Sequence, residues 1–165
     1  MLPLGVLLCL ACSSGSRRPT SAVDVRTSDA AAIRAARAEQ NRAMAAGAIA
    51  RASEFWTEDV TLRRGLGASA AGRDAYRRLM ESDLGSSSRM IYERTPVEVD
   101  VSDRWPLAFE NGTWTARLAS APSAELITGR YGAQWVKRDG RWLIRSEVFV
   151  ALTCKELGCE AGAVP

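Results

Sequence analysis

Residues 129–147, GRYGAQWVKRDGRWLIRSE, constrain the fold more than any other stretch. Asp139-Gly140 sits between two runs that alternate apolar and polar side chains. A type I′ hairpin turn needs positive φ at both central residues, and Asp-Gly meets that need with little strain. With those two residues as the loop, Arg138 faces Arg141, Lys137 faces Trp142 and Trp135 faces Ile144. Side chains alternate across a strand. Tyr131, Ala133, Trp135, Trp142, Ile144, Ser146 and Val148 are therefore expected on one face. Arg130, Gln134, Val136, Leu143, Arg145, Glu147 and Phe149 are expected on the other. The tryptophan face is the one that must pack inward, because two indoles carry a large apolar area.

The rest of the chain divides where the apolar period changes from 3.6 to 2. Residues 29–46 are rich in Ala and Arg, lack Pro and Gly, and read as a helix. Ser28 is its expected N-cap, Asp29 favours its first turn and Gly47 stops it. Its apolar stripe (Ile33, Ala36, Met44) is thin. Residues 48–56 read as a second short helix, 59–64 as a strand, and GLGASAAG as a loop. Residues 72–82 read as a third helix burying Tyr76, Leu79 and Met80. Strands follow at 89–101, bent or at an edge at Pro96, then at 107–118, 125–137 and 141–152. Helices followed by strands predict an α+β domain, its helices on one face of an antiparallel sheet. The chain's 165 residues suffice for one such domain with its own core.

The hairpin sequence resembles the C-terminal hairpin of SnoaL-like (DUF4440) members of the NTF2-like superfamily. AAGAIARASEFWTEDVTL resembles their second helix and first strand, and AGRDAYRRLM resembles their third helix. The resemblance covers roughly residues 29–152. It implies a cone: a strongly curved sheet wrapped around about three N-terminal helices, with a pocket at the open end. That superfamily includes isomerases, cyclases, dehydratases and non-catalytic binding or dimerisation domains, so fold alone assigns no function. In its steroid isomerases a carboxylate base ends the strand matched here by FWTEDVTLRR. That place holds Arg63 or Arg64, and a guanidinium does not abstract protons at neutral pH.

The chain contains no histidine. This excludes Ser-His-Asp and Cys-His nucleophile pairs, the HExxH zinc helix and His-ligated metals. Acid–base work falls to Asp, Glu, Tyr, Lys or Cys. Glu147 is the next candidate base. The hairpin register sets it opposite Gly132 on the outer face, where a cross-strand ion pair with Arg130 or Arg145 is the plainer reading. A pocket carboxylate is the other reading, and a bulge would favour it. Trp56, Tyr76, Trp114, Tyr131 and Trp135 are the aromatics expected inside the cone, with Tyr131 and Ser146 offering polar tips. They either fill a core or line a pocket for a small hydrophobic molecule. Asn111-Gly112-Thr113 reads as a turn before Trp114. No cofactor and no metal are expected. A net charge of +3 with no basic block gives no reason to expect nucleic acid.

The first residues, MLPLGVLLCLACSS, are apolar from position 2 to 11. A bilayer span needs about 20 residues, so this run suits a signal-peptide core instead. Ala11 before Cys12, with Ser13 and Ser14 after it, resembles a bacterial lipoprotein signal, in which the cysteine is lipidated and becomes the mature N-terminus. An ordinary cleaved export signal, or a core segment, is the alternative. The expected organisation is a signal at 1–11, lipidated Cys12, a polar linker at 13–28, the domain at 29–152 and a tail at 153–165. In an exported protein Cys154 and Cys159 of that tail form most simply a disulfide. Three functions stay open. One is a membrane-anchored, periplasmic or cell-surface domain binding a small hydrophobic molecule. Another is an isomerase, cyclase or dehydratase using a pocket carboxylate such as Glu147. The third is a self-association module, a homodimer formed through the sheet.

Overall fold

The computed structural model describes residues 21–67, 69–86 and 88–155. The signal-like segment with Cys12, linker residues 13–20 and Cys159 lie outside the described residues. Helix α1, Ala22–Ala45, begins well before Ser28. Ser21 is its N-cap: the hydroxyl accepts from the Asp24 amide at 3.1 Å, and the Asp24 carboxylate accepts from the Ser21 amide at 3.2 Å. This reciprocal box satisfies two donors that the first turn would leave free. Residues 22–28, read from sequence as linker, are helical for that reason. At the other end Arg89 donates to the carbonyls of Met44 and Ala45, and Gly47 leaves the helix at φ 74°.

The remaining elements are α2 (Ile49–Ser53), β1 (Trp56–Arg63), β2 (Ala70–Ala71), α3 (Arg73–Glu81), β3 (Met90–Val101), β4 (Leu107–Leu118), β5 (Glu125–Arg138) and β6 (Arg141–Cys154). They form an α+β domain whose six-stranded sheet runs β2-β1-β6-β5-β4-β3. The sheet is mixed rather than wholly antiparallel, because β1 lies parallel to β6. A parallel neighbour requires a long connection, and α3 with the β3-β4-β5 meander supplies it. β3 is one of the sheet's two edge strands, a place that tolerates Pro96. Its register skips at Val97, and Arg34 of α1 donates to the carbonyls of both Pro96 and Val97 at 3.2 Å. Asn41, two turns on, exchanges bonds with the backbone of Arg94. These bonds lock α1 against β3, over a core that includes Ile33, Trp56, Val60, Trp135 and Ile144.

The hairpin turn is as expected: Asp139 and Gly140 have φ of 50° and 76°, and Trp135 pairs with Ile144. The next pair is Gln134 with Ser146, so Arg145 is an extra residue in β6. A bulge of this kind bends the strand and resets its alternation. The β6 residues that follow it, as far as Phe149, lie on the faces opposite to the sequence reading. Glu147 pairs with Ala133, not Gly132, and is buried. Phe149 also turns inward, while Ser146 joins the outer face beside exposed Gln134 and Val148 is exposed there too. Arg145 sits near Asp59 at 3.6 Å instead of pairing with Glu147. One further expectation fails: Asn111-Gly112-Thr113 is not a turn but the middle of β4. Glycine is needed there because a Cβ would lie 2.2 Å from the Thr95 carbonyl oxygen.

Candidate functional site

The inward face of α1 delivers a charge to the centre of the molecule. Arg37 is fully buried. Its Nε donates to Glu110 Oε1 and its Nη1 to Glu147 Oε1, both at 2.8 Å, and Gln40 accepts a further bond from Nη1. Glu110 comes from β4, on the inward parity shared with Ala108, Trp114 and Ala116. It also accepts from the Tyr131 hydroxyl and from Trp135 Nε1. The Arg37 guanidinium lies over both of those rings, at 5.4 and 5.1 Å from their centroids.

Glu147 extends the cluster towards α3 and β3. Its Oε2 accepts from the Tyr76 hydroxyl at 3.1 Å, and that hydroxyl accepts from Arg94 Nη2 at 3.2 Å. Burial works to raise the Glu147 carboxyl, but the charge of Arg37, then that of Arg94, and the bonds from Arg37 and Tyr76 hold it below the usual carboxylate range. Tyr76 moves the other way: burial and then the Glu147 charge push its hydroxyl far above the usual tyrosine range. Tyr131 is raised too, by burial first, against Arg37 and with Glu110. Both tyrosines stay protonated donors. Glu147, ionised and bonded to Arg37 and Tyr76, is held in place as a fixed charge.

A cavity of about 70 Å³ opens on the Tyr76 side of this cluster. Space for one water needs roughly 10–15 Å³ by the same kind of measure, so there is room for several waters or part of a small ligand. Leu62, Leu66, Met80, Met90, Ile127 and Trp114 supply apolar wall, and Arg64, Tyr92, Tyr76 and Arg94 supply the polar groups. Trp114 is aimed by its Nε1 bond to the Val150 carbonyl at 3.2 Å. Gly129 makes that possible, since a Cβ there would stand 2.5 Å from the indole nitrogen.

Of the residues expected to line a pocket, Tyr76 and Trp114 form cavity wall. Trp56 stacks behind Tyr76 at 3.9 Å. Tyr131 and Trp135 lie deeper, tied to Glu110, with Tyr131 stacked on the cavity residue Phe149. Ser146 is on the other face of the sheet. Arg37, Glu110 and Arg94 were not anticipated. Their signal was present: Arg37 and Gln40 fall on the helical stripe of Ile33 and Met44, and Glu110 falls on an inward strand parity. Among the described residues no cluster of His, Cys, Asp and Glu could hold a metal ion.

A helix-backed, curved mixed sheet with a cavity beside its innermost polar cluster is the architecture of NTF2-like proteins. The profile of the SnoaL-like domain family matches residues 25–147, and the chain belongs to that family. An NTF2-like protein of unknown function from Pseudomonas putida KT2440 superposes with a TM-score of 0.66 at 18% identity, covering 84% of this chain and 94% of that one. A protein from Novosphingobium aromaticivorans DSM 12444, provisionally named a scytalone dehydratase, is similar at TM-score 0.66 and 18% identity, covering 78% of this chain and 87% of that one. A domain from Xanthomonas campestris, provisionally named a calcium/calmodulin-dependent protein kinase II association domain, is similar at TM-score 0.54 and 24% identity, covering 68% and 80%. No curated protein matches the chain.

Proposed function

We propose that the domain binds a small, largely apolar molecule in the cavity walled by Tyr76, Trp114 and Phe149, and that it does so outside the cytoplasm, held to a membrane by a lipid on Cys12. The observation that carries the binding reading is the cavity itself: apolar walls, a few convergent polar groups, and a rigid hydrogen-bonded cluster fixing one of them. The neutral probe N-phenyl-1-naphthylamine, whose emission rises in apolar surroundings, tests it. Wild type is expected to bind the probe, and Met90→Trp, which puts a larger side chain on the half-buried cavity wall, to keep the fold and lose at least about tenfold in affinity. Equal binding by the two proteins places the probe elsewhere and sinks the reading.

Catalysis is the less favoured use of the site. Glu147, the carboxylate it would need, is ion-paired with Arg37, held ionised, and separated from the cavity by Tyr76. Self-association is a second reading, favoured by the exposed apolar side chains Phe109, Val148, Val150 and Leu152.

Support for the anchor is the apolar run ending at Ala11, directly before Cys12. We also propose that Cys154, the last residue of β6, forms a disulfide with Cys159, five positions on. Intact-mass analysis of native protein, alkylated without reductant, reads both proposals. The expected species begins at a diacylated or triacylated Cys12 and carries no alkyl group on Cys154 or Cys159. A Cys12→Ala variant with the same mass processing and membrane partition as wild type overturns the anchor. Two alkylated cysteines in the tail overturn the disulfide.

A further inference from the structure

The cavity wall is electrically one-sided. Two of its residues are arginines, Arg64 and Arg94, and none is acidic. Arg94 is only 4% exposed. Its Nη2 has one partner, the Tyr76 hydroxyl, while Nε and Nη1 are buried with no hydrogen-bond partner among the described residues. Neither Arg94 nor Arg64 has a carboxylate within ion-pair distance among those residues. A buried charged donor left without an acceptor is costly, and such a group facing a cavity is best explained by what enters the cavity.

The surroundings narrow the acceptor. One face of the Arg94 guanidinium is covered by Phe149, whose ring centroid is 5.2 Å away. With one Nη2 proton on Tyr76, the other Nη2 proton and its neighbour along one edge of the guanidinium remain free, a pair of parallel donors that suits a planar group with two acceptor oxygens. Counting the cluster behind the wall, Arg37 alone pairs with Glu110 and Glu147, and with Arg64 and Arg94 the region holds three guanidiniums against two carboxylates, an excess of one positive charge that suits an incoming monoanion. The rest of the wall is hydrocarbon and aromatic.

We propose that the ligand of this cavity is a small amphipathic monocarboxylate, its acid group on Arg94 with Arg64 as the second cation, and its apolar body against Leu62, Met80, Trp114 and Ile127. This rests on the cavity being the binding site. 3-Phenylpropionate and 3-phenylpropionamide share a skeleton and differ in charge, and each is competed against N-phenyl-1-naphthylamine. The acid is expected to displace the probe from wild type at a concentration at least about tenfold below that of the amide, the worth of a charge-assisted bond in a dry site. Arg94→Met is expected to abolish the preference while the probe still binds. Since truncating a buried arginine can unfold a domain, Arg64→Met is the second variant, expected to keep the fold and the probe and to lose part of the preference. Equal competition by acid and amide overturns the proposal, and so does a preference that survives both substitutions. Failure of both compounds to compete while the probe binds overturns it and leaves the binding reading standing; failure of the probe itself removes both.

Discussion

Arg37 carries its charge to a position with no solvent contact, where Glu110 and Glu147 meet it at 2.8 Å each. Desolvating such a group costs nearly as much as pairing returns, so the intact cluster need not add net stability. Breaking it is another matter, because two carboxylates would then face one another in a dry interior. Arg37→Met is expected to destabilise the domain by about 3–5 kcal/mol in urea unfolding; a loss below about 1 kcal/mol would show that water or neighbouring donors replace the guanidinium. The same cluster sets the acid limit. The Glu147 carboxyl lies below its ordinary value of 4.5 in the folded state. Its contribution is therefore fully present above pH 4.5 and is lost as the pH falls through the folded value. Stability measured from pH 6 down to about pH 3 should fall less steeply for Glu147→Gln than for wild type, once the fixed loss from the substitution is subtracted. Parallel curves would assign the acid sensitivity to other carboxylates.

Between elements, the hairpin and α1 are latched by Asp29. Its Oδ1 accepts from Lys137 Nζ at 2.6 Å and from Trp142 Nε1 at 3.0 Å, and Lys137 also lies 5.6 Å from the Trp142 ring centroid. Asp29→Ala leaves a buried indole donor without its acceptor. It is expected to cost roughly 1–3 kcal/mol and to speed hydrogen exchange at the start of α1 and in residues 137–142, with the centres of β4 and β5 unchanged. An unaltered exchange map would show the latch to be ornamental. This is also the scale at which sequence reading succeeds and fails for physical reasons. Asp139-Gly140 encodes its turn locally, and the pairs closest to it follow from that turn alone. The extra residue at Arg145 bends β6 and shifts its register, and nothing in RWLIRSE announces it. One missed residue reverses the face of all that follows, which is why Glu147 and Phe149 were expected outside. Arg37 and Gln40 were hidden differently: a charged side chain at a buried helical position reads as a thin apolar stripe until its partners on β4 and β6 are known.

Across the whole molecule, the bulge that draws Glu147 and Phe149 inward turns Val148 and Val150 outward, with Leu152 beyond them on the same strand. Phe109 of β4 continues this surface. A Cβ at Gly132 would lie 3.1 Å from the Phe109 ring and 3.7 Å from Val148, so the glycine lets the two close over β5. Val148, Val150 and Leu152 are each more than half exposed, at 51%, 53% and 63%. Scattered apolar side chains on a surface need no explanation, whereas a contiguous row on a rigid sheet marks a contact. On the self-association reading, a second copy of the chain would cover that row by two-fold pairing of like surfaces. Light scattering on the folded domain is expected to give the mass of a dimer that dissociates on dilution, with a melting temperature that rises with protein concentration. Val148→Lys with Val150→Lys places two charges in the centre of the contact. It should yield a monomer whose melting temperature is independent of concentration and whose cavity still binds the neutral probe, because both substitutions lie on the face away from Tyr76 and Arg94. A wild-type protein that stays monomeric across the same range, or a double variant that still dimerises, would show that this face is simply an apolar surface exposed to water.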